Sequence, residues 1–274
     1  MKEFFRTTDV PRYVGPPHHY LDIASHFVEF LSLLPVGKIN TNGTEINIPV
    51  RRKHFMFFIP HSNVETQPID RIYRQLGLPL PVWFTKKENE KDQPIILGGP
   101  RRFIFADRVQ ITPSTIRAVD RVYKHPHAVI GTSIEGTRFG NPNDGNDIRT
   151  LKEAEPGTVY FATRERVPIL PVVVYGGDKF LTALESIKKK YGYKAMLEQF
   201  YREVRAKSKP VIEVRFAKPY TDHILPEGVK LDKEKSKQHN NTHTNNLMLN
   251  IAIPLLLELD IGYPLGPYEK YFRN

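Results

Sequence analysis

The stretch HFMFFIPHSNVETQPID, residues 54–70, sets the reading of the chain. His54 to Ile59 form a short, almost wholly apolar run rich in Phe, which fits a buried strand of a parallel sheet. Pro60 and small polar residues follow it. From about residue 66 to 76 a short helix is expected, with Pro68 tolerated in the first turn, where a backbone N–H has no intrahelical partner. His61 sits between the two elements. A histidine at the end of a buried strand, with carboxylates at Glu65 and Asp70 downstream, fits a general base with an orienting acid. The residue types alone do not say which carboxylate serves it.

The same alternation continues outward from this unit. VWF (82–84) and FIFA (103–106) predict strands. Thr112 followed by Pro113 predicts a helix start, which STIRAVDRVYKH continues. HAVIGTSI (127–134) predicts a strand, GTVYFATRER (157–166) a helix and VPILPVVVYG (167–176) another strand. A long charged helix is expected over about 180–207 and a strand at VIEVRFAKP (211–219). The polar stretch DKEKSKQHNNTHTNN (232–246) leads into a last apolar helix near 247–259. Alternating elements with near-continuous apolar strands predict an α/β fold, a largely parallel mixed sheet flanked by helices.

Upstream, Tyr20 to Leu34 carries apolar residues at 20, 23, 24, 27, 28, 31 and 34, the spacing of an amphipathic helix. Pro35 and Gly37 end it. Packing on the core is the simpler account of its stripe; a helix lying on a membrane surface is the other. Residues 1–50 therefore read as an N-terminal arm and amphipathic helix, and 51–274 as the α/β domain. GNPNDGNDI (140–148) reads as a loop.

The chain has 274 residues and 40% hydrophobic content, enough for one sizeable core. It has no cysteine, which excludes disulfides, thiolate metal sites and a cysteine nucleophile, and fits the cytosol. No signal peptide is evident in MKEFFRTTDV. LMLNIAIPLLLEL (247–259) is interrupted by Asn250 and Pro254 and falls short of the about 20 residues a membrane span needs. A cytoplasmic protein, peripheral at the membrane, is expected. The net charge of +10 suits anionic partners: nucleic acid, anionic lipid or phosphorylated substrates. No recognisable nucleic-acid reading module is present, so nucleic acid is not the expected partner.

Three further stretches carry chemistry. Ile134-Glu-Gly-Thr-Arg-Phe139 follows a strand. Gly136 lets backbone approach a ligand closely, and Arg138 offers a planar fork to a phosphate. Glu135 can hold that arginine or bind a hydroxyl. The plain alternative is a turn with a surface arginine. Phe105-Ala-Asp-Arg108 ends another strand; Arg108 is a second candidate phosphate ligand, although a surface salt bridge accounts for that stretch taken alone. Pro168 and Pro171 bracket the start of a strand and set its path.

In this order the blocks resemble the glycerolipid acyltransferase family, which includes the lysophosphatidic acid and glycerol-3-phosphate acyltransferases. The blocks are a histidine with a nearby acid, a strand ending in an arginine, EGTR, and a Pro-x-x-Pro strand. TKKEN (85–89), LKEAEPGTVYFA (151–162) and VIEVRFAKPY (211–220) also fit, so the resemblance runs from about residue 51 to 260. EGTR is the most specific block. Two positions depart from the pattern. The family places an aspartate where this chain has Thr66, and Glu65, one methylene longer, is the nearest carboxylate. Arg102 stands where the family usually has a glycine.

The resemblance implies a glycerol-3-phosphate acyltransferase-like fold. It implies transfer of a fatty acyl group from acyl-CoA or acyl carrier protein to the hydroxyl of a phosphorylated glycerolipid such as 1-acylglycerol-3-phosphate. His61 would be the general base and Glu65 its acid; Asp70, past Pro68 and inside the helix, is the poorer candidate. Arg108, Glu135, Gly136, Thr137 and Arg138 would hold the acceptor phosphate, and the amides of Ser62 and Asn63 are candidate oxyanion donors. No metal and no cofactor beyond the acyl co-substrate is expected. The implied partners are the thioester donor, the acceptor and a membrane surface. A glycerol-3-phosphate or other non-lipid acceptor is the alternative, and the missing aspartate also admits an inactive lipid-binding relative.

Overall fold

The computed structural model describes residues 33, 36–43, 47–49, 52–60, 66–86, 103–106, 111–135, 150–176, 178–207 and 209–272. Seven strands form one sheet: β1 (Lys38–Asn42), β2 (His54–Ile59), β3 (Val82–Lys86), β4 (Phe103–Ala106), β5 (Val129–Ser133), β6 (Ile169–Tyr175) and β7 (Val211–Phe216). The helices are α1 (Thr66–Gln75), α2 (Pro113–Val122), α3 (Gly157–Glu165), α4 (Asp178–Arg205), α5 (Lys233–Leu247), α6 (Ile253–Leu257) and α7 (Glu269–Phe272). The strand order is β1-β7-β6-β2-β5-β3-β4. All neighbouring pairs are parallel except β6 with β7. This is the α/β fold, with a largely parallel mixed sheet flanked by helices, that the alternation predicts.

The sheet divides the core in two. Phe55, Phe57 and Ile59 of β2 pack on one face with Val119, Val159, Leu247 and Ile253 from the following helices. Met56 and Phe58 pack on the other with Ile69, Ile72 and Tyr73 of α1. All six residues of β2 are buried, which is why its sequence shows no polar alternation. His54 fits because both ring nitrogens are satisfied: Nε2 bonds the Tyr73 hydroxyl at 2.8 Å and Nδ1 the Arg52 carbonyl at 3.0 Å.

Close approach decides Gly131. A Cβ on Gly131 would lie 2.3 Å from Cζ3 of Trp83, so the indole packs directly on the β5 backbone. Pro171 sits inside β6 yet breaks no ladder. Its carbonyl accepts from Ala217, and the β7 register begins only at Val172, so the missing N–H falls at an irregularity between strands. The α2 start is as read: Thr112 Oγ1 accepts the Thr115 N–H at 3.2 Å.

Four elements differ from the sequence reading, one of them the short α7 at Glu269–Phe272, where no element is expected. Residues 38–42, where no element is expected, form β1. That strand carries no apolar run and is specified by its partner, with Lys38 opposite Val211 through Asn42 opposite Arg215. The long charged helix α4 is broken at Gly192, whose φ of 84° and ψ of 176° are not helical. The polar stretch expected to lead into the last helix is itself helical from Lys233. Asp232 caps it, accepting the Lys235 N–H at 2.8 Å. Its buried face is Asn240, Thr244 and Leu247, at helical spacing but mostly polar, so no apolar periodicity marks it. The helix then widens to a π-turn over Met248–Ala252 ahead of Pro254, which has no N–H to give. Of the helix expected over 20–34, only Leu33 is described, buried against the α1 face of the core; the loop at 140–148 lies outside the described residues.

Candidate functional site

Parallel pairing brings the C-terminal ends of β2 to β6 to one edge of the sheet. Open α/β sheets bind ligands beyond such strand ends. β2 lies between β5 and β6, with Phe58 opposite Ser133 and Ile59 opposite Val173. The chain therefore leaves β2 at Pro60 and β5 at Ile134 side by side, one strand spacing of about 4.8 Å apart. β4 stands three spacings from β2, about 14 Å along the sheet.

Of the residues singled out from the sequence, Glu135 and Asp70 are described. His61, Ser62, Asn63, Glu65, Arg102, Arg108, Gly136, Thr137 and Arg138 lie outside the described residues.

Glu135 is buried, with 2% of its surface exposed. Its Oε2 accepts the backbone N–H of Lys152 at 2.9 Å. One residue earlier, the Ile134 carbonyl accepts the Glu155 N–H at 2.7 Å. The segment 150–155 is thus tied to the end of β5. Its other side is tied to the C-terminal residues. Leu151 N–H donates to the Pro264 carbonyl at 3.1 Å, and Ala154 N–H to the Tyr268 hydroxyl at 2.8 Å. Gly266 completes the clasp at φ 56°, where a Cβ would meet the Leu151 carbonyl oxygen at 2.3 Å. Burial pushes the Tyr268 hydroxyl up to about 12, so it stays protonated and neutral.

Asp70 is buried on α1, and its Oδ1 accepts the indole N–H of Trp83 at 3.2 Å. Its carboxylate holds the ring that covers Gly131, on the α1 side of the sheet. Two buried polar atoms near the strand ends have no partner among the described residues: Ser133 Oγ, at the end of β5, and Gln67 Oε1, in the first turn of α1. Neither was singled out from the sequence, because a serine and a glutamine carry no motif of their own.

A second polar cluster lies at the opposite edge. His239 and His243, four apart on α5, place their ring centroids 4.3 Å apart. His239 Nε2–H donates to the His223 carbonyl and His223 Nε2–H to the Val167 carbonyl, each at 3.0 Å. His243 Nδ1 bonds the Tyr220 hydroxyl. Burial holds His223 down at about 4 and also lowers His243. Leu231, Lys235, Gln238, His239, Thr242 and His243 line a shallow depression there. No expectation from the sequence falls on this histidine pair, whose i, i+4 spacing is its signal. Among the described residues no group of three or more His, Cys, Asp or Glu is arranged to hold a metal, and no helix is long and apolar enough to cross a membrane.

No family model matches the chain, and no curated protein does. Among solved structures, the chain is similar to the 1-acyl-sn-glycerophosphate (LPA) acyltransferase PlsC from Thermotoga maritima. The TM-score is 0.47 and the identity 14%, over 85% of this chain and 84% of that one. That likeness is too loose to carry fold or chemistry; the fold stands on the strand order described above.

Proposed function

We propose that the protein is an acyltransferase. It moves a fatty acyl group from a thioester, acyl-CoA or acyl carrier protein, to the hydroxyl of a phosphorylated glycerolipid such as 1-acylglycerol-3-phosphate. The observation that carries this reading is the adjacency of β2 and β5. The two strands that precede the His61 block and the EGTR block are direct neighbours and point the same way. Base and phosphate ligands drawn from those two blocks need span only one strand spacing.

The chemistry follows from the residue types. A neutral His61 imidazole takes the proton of the acceptor hydroxyl as its oxygen attacks the thioester carbonyl carbon. The tetrahedral intermediate collapses, the C–S bond breaks, and the thiolate leaves with the proton returned by the imidazolium. Glu65 fixes the imidazole tautomer and steadies its charged form, as the aspartate does in a serine hydrolase triad. General base catalysis supplies roughly 10²–10⁴-fold; positioning and amides facing the oxyanion, with those of Ser62 and Asn63 as candidates, supply more. Arg138 and Arg108, with Gly136 and Thr137, hold the acceptor phosphate. Because β4 stands three strands from β2, Arg108 is assigned the far end of the acceptor. Glu135 anchors the group through its bond to Lys152.

The Thr66 position favours one other reading, a relative that binds lipid without turnover. A single experiment separates them. Purified protein is given a panel of acyl-CoA and acyl carrier protein donors with lysophosphatidic acid or glycerol-3-phosphate, and thiol release is followed for the wild type and His61→Ala. The expected result is release that needs both substrates and disappears in the variant. Release undiminished in His61→Ala removes the base assignment. Lipid binding without release, for every donor, makes the chain an inactive relative. Release with glycerol-3-phosphate alone changes the acceptor.

A further inference from the structure

We propose that the C-terminal half of α4 is a docking surface for an anionic lipid bilayer. Residues 188–209 contain eight lysines and arginines against two glutamates. Gly192 ends the first half of the helix, and beyond it Tyr193, Leu197 and Tyr201 recur every fourth residue along one stripe. All three are exposed, at 64%, 59% and 53% of their surface, and Tyr191 at the break is as open as Tyr193. Large apolar side chains gathered on one exposed strip are unusual on a surface with no partner.

Basic side chains frame the stripe. Arg205 continues it by one more step of four and sets its guanidinium 4.2 Å from the Tyr201 ring centroid; Lys190 lies 5.2 Å from that of Tyr191. Lys194 and Arg202 are exposed beside it. Tyrosine suits the boundary between hydrocarbon and water, with an apolar ring and a polar tip. Lysine and arginine lay their stems along the same boundary and keep their charge in the headgroups. The sign of the charge selects anionic lipid. A second copy of the chain would set this basic strip against itself; the tyrosine rings flanked by lysine and arginine stems match the layered polarity of a bilayer surface.

The surface is rooted beside the candidate site. β6 ends and β7 begins at the same sheet edge, with Tyr175 opposite Glu213. Both ends of α4 therefore spring from the edge where β2 and β5 end. That a lipid acceptor passes from the bilayer into the site rests on the acyltransferase reading; the docking surface itself does not.

The test is co-sedimentation of the full chain with vesicles of phosphatidylcholine alone and of phosphatidylcholine mixed with phosphatidylglycerol. One variant carries Tyr193→Ser, Leu197→Ser and Tyr201→Ser; a second carries Lys190→Gln, Lys194→Gln, Arg202→Gln and Arg205→Gln. Both change exposed residues, and unchanged thermal melts check the fold. The wild type should pellet with the mixed vesicles only, and less as salt is raised. Each variant should lose affinity on the order of a hundredfold, with thiol release on water-soluble glycerol-3-phosphate, where it occurs, unaltered. Variants that pellet like the wild type overturn the proposal. So does a wild type that ignores the mixed vesicles, binds both kinds equally, or binds acyl carrier protein through this strip instead. If no donor and acceptor react at all, the acyltransferase reading fails, while the vesicle result still decides this one.

Discussion

Glu135 and Lys152 are joined by a carboxylate that accepts a backbone N–H at 2.9 Å in a buried position. Through that bond the end of β5 is held to a segment that Pro264 and Tyr268 hold from behind. The residues that follow Glu135 in sequence are the proposed phosphate ligands. Their starting point is therefore braced by contacts distant in the chain, in the way a second layer of hydrogen bonds steadies a binding group.

Removing that brace should cost stability. Glu135→Ala leaves the part-buried Lys152 N–H without this acceptor, at about 1 kcal/mol. Glu135→Gln retains an oxygen that can accept it and should stay close to the wild type. Urea midpoints of the two variants check this; equal midpoints for Ala and Gln would mean the bond contributes nothing.

The two acidic residues that follow His61 in sequence should separate by role. Asp70→Asn keeps an oxygen for the Trp83 indole N–H and should leave thiol release nearly unchanged. On the proposed mechanism Glu65→Gln should lower kcat by roughly a hundredfold or more, since it would withdraw the charge that steadies the imidazolium. Steady-state kinetics on both variants decide it, and the opposite ranking assigns the acid to Asp70.

Gly131→Ala should be among the costlier small changes in the chain. The added methyl would lie 2.3 Å from the Trp83 ring and must displace it, along with its bond to Asp70. Overpacking of this kind costs about 1–3 kcal/mol. A denaturant midpoint equal to the wild type would show that β3 shifts freely at Trp83.

Acid should weaken the fold below neutral pH. Burial holds His54 down at about 4, with its bond to the Arg52 carbonyl opposing, and His223 is held at about 4 for the same chief reason. In the unfolded chain each takes its proton near 6.5. Between those values the unfolded state binds more protons than the folded one, so stability falls as pH drops through 6.5 toward 4. Each histidine contributes up to about 1.4 kcal/mol per pH unit. Urea unfolding of the wild type and His54→Gln, followed from neutral pH into that window, should show the variant losing stability less steeply. Parallel slopes would mean His54 is not held neutral.

Much of the scaffold is legible in the order of residues. A strand buried on both faces must be apolar throughout, so HFMFFI and VPILPVVVY announce themselves, and Thr112-Pro113 marks a helix start because its cap is local. What no window of residues contains is the order of the strands. That β2 runs beside β5, that Trp83 lies on Gly131 and that Glu135 meets Lys152 depend on which surfaces are buried together across long separations. β1 and α5 belong with these, since a polar strand and a helix with a polar buried face exist only through the partners they pack against. Local composition thus determined the apolar strands and the locally capped helix; the shared burial of their faces decided which elements stand side by side and that β1 and α5 form at all.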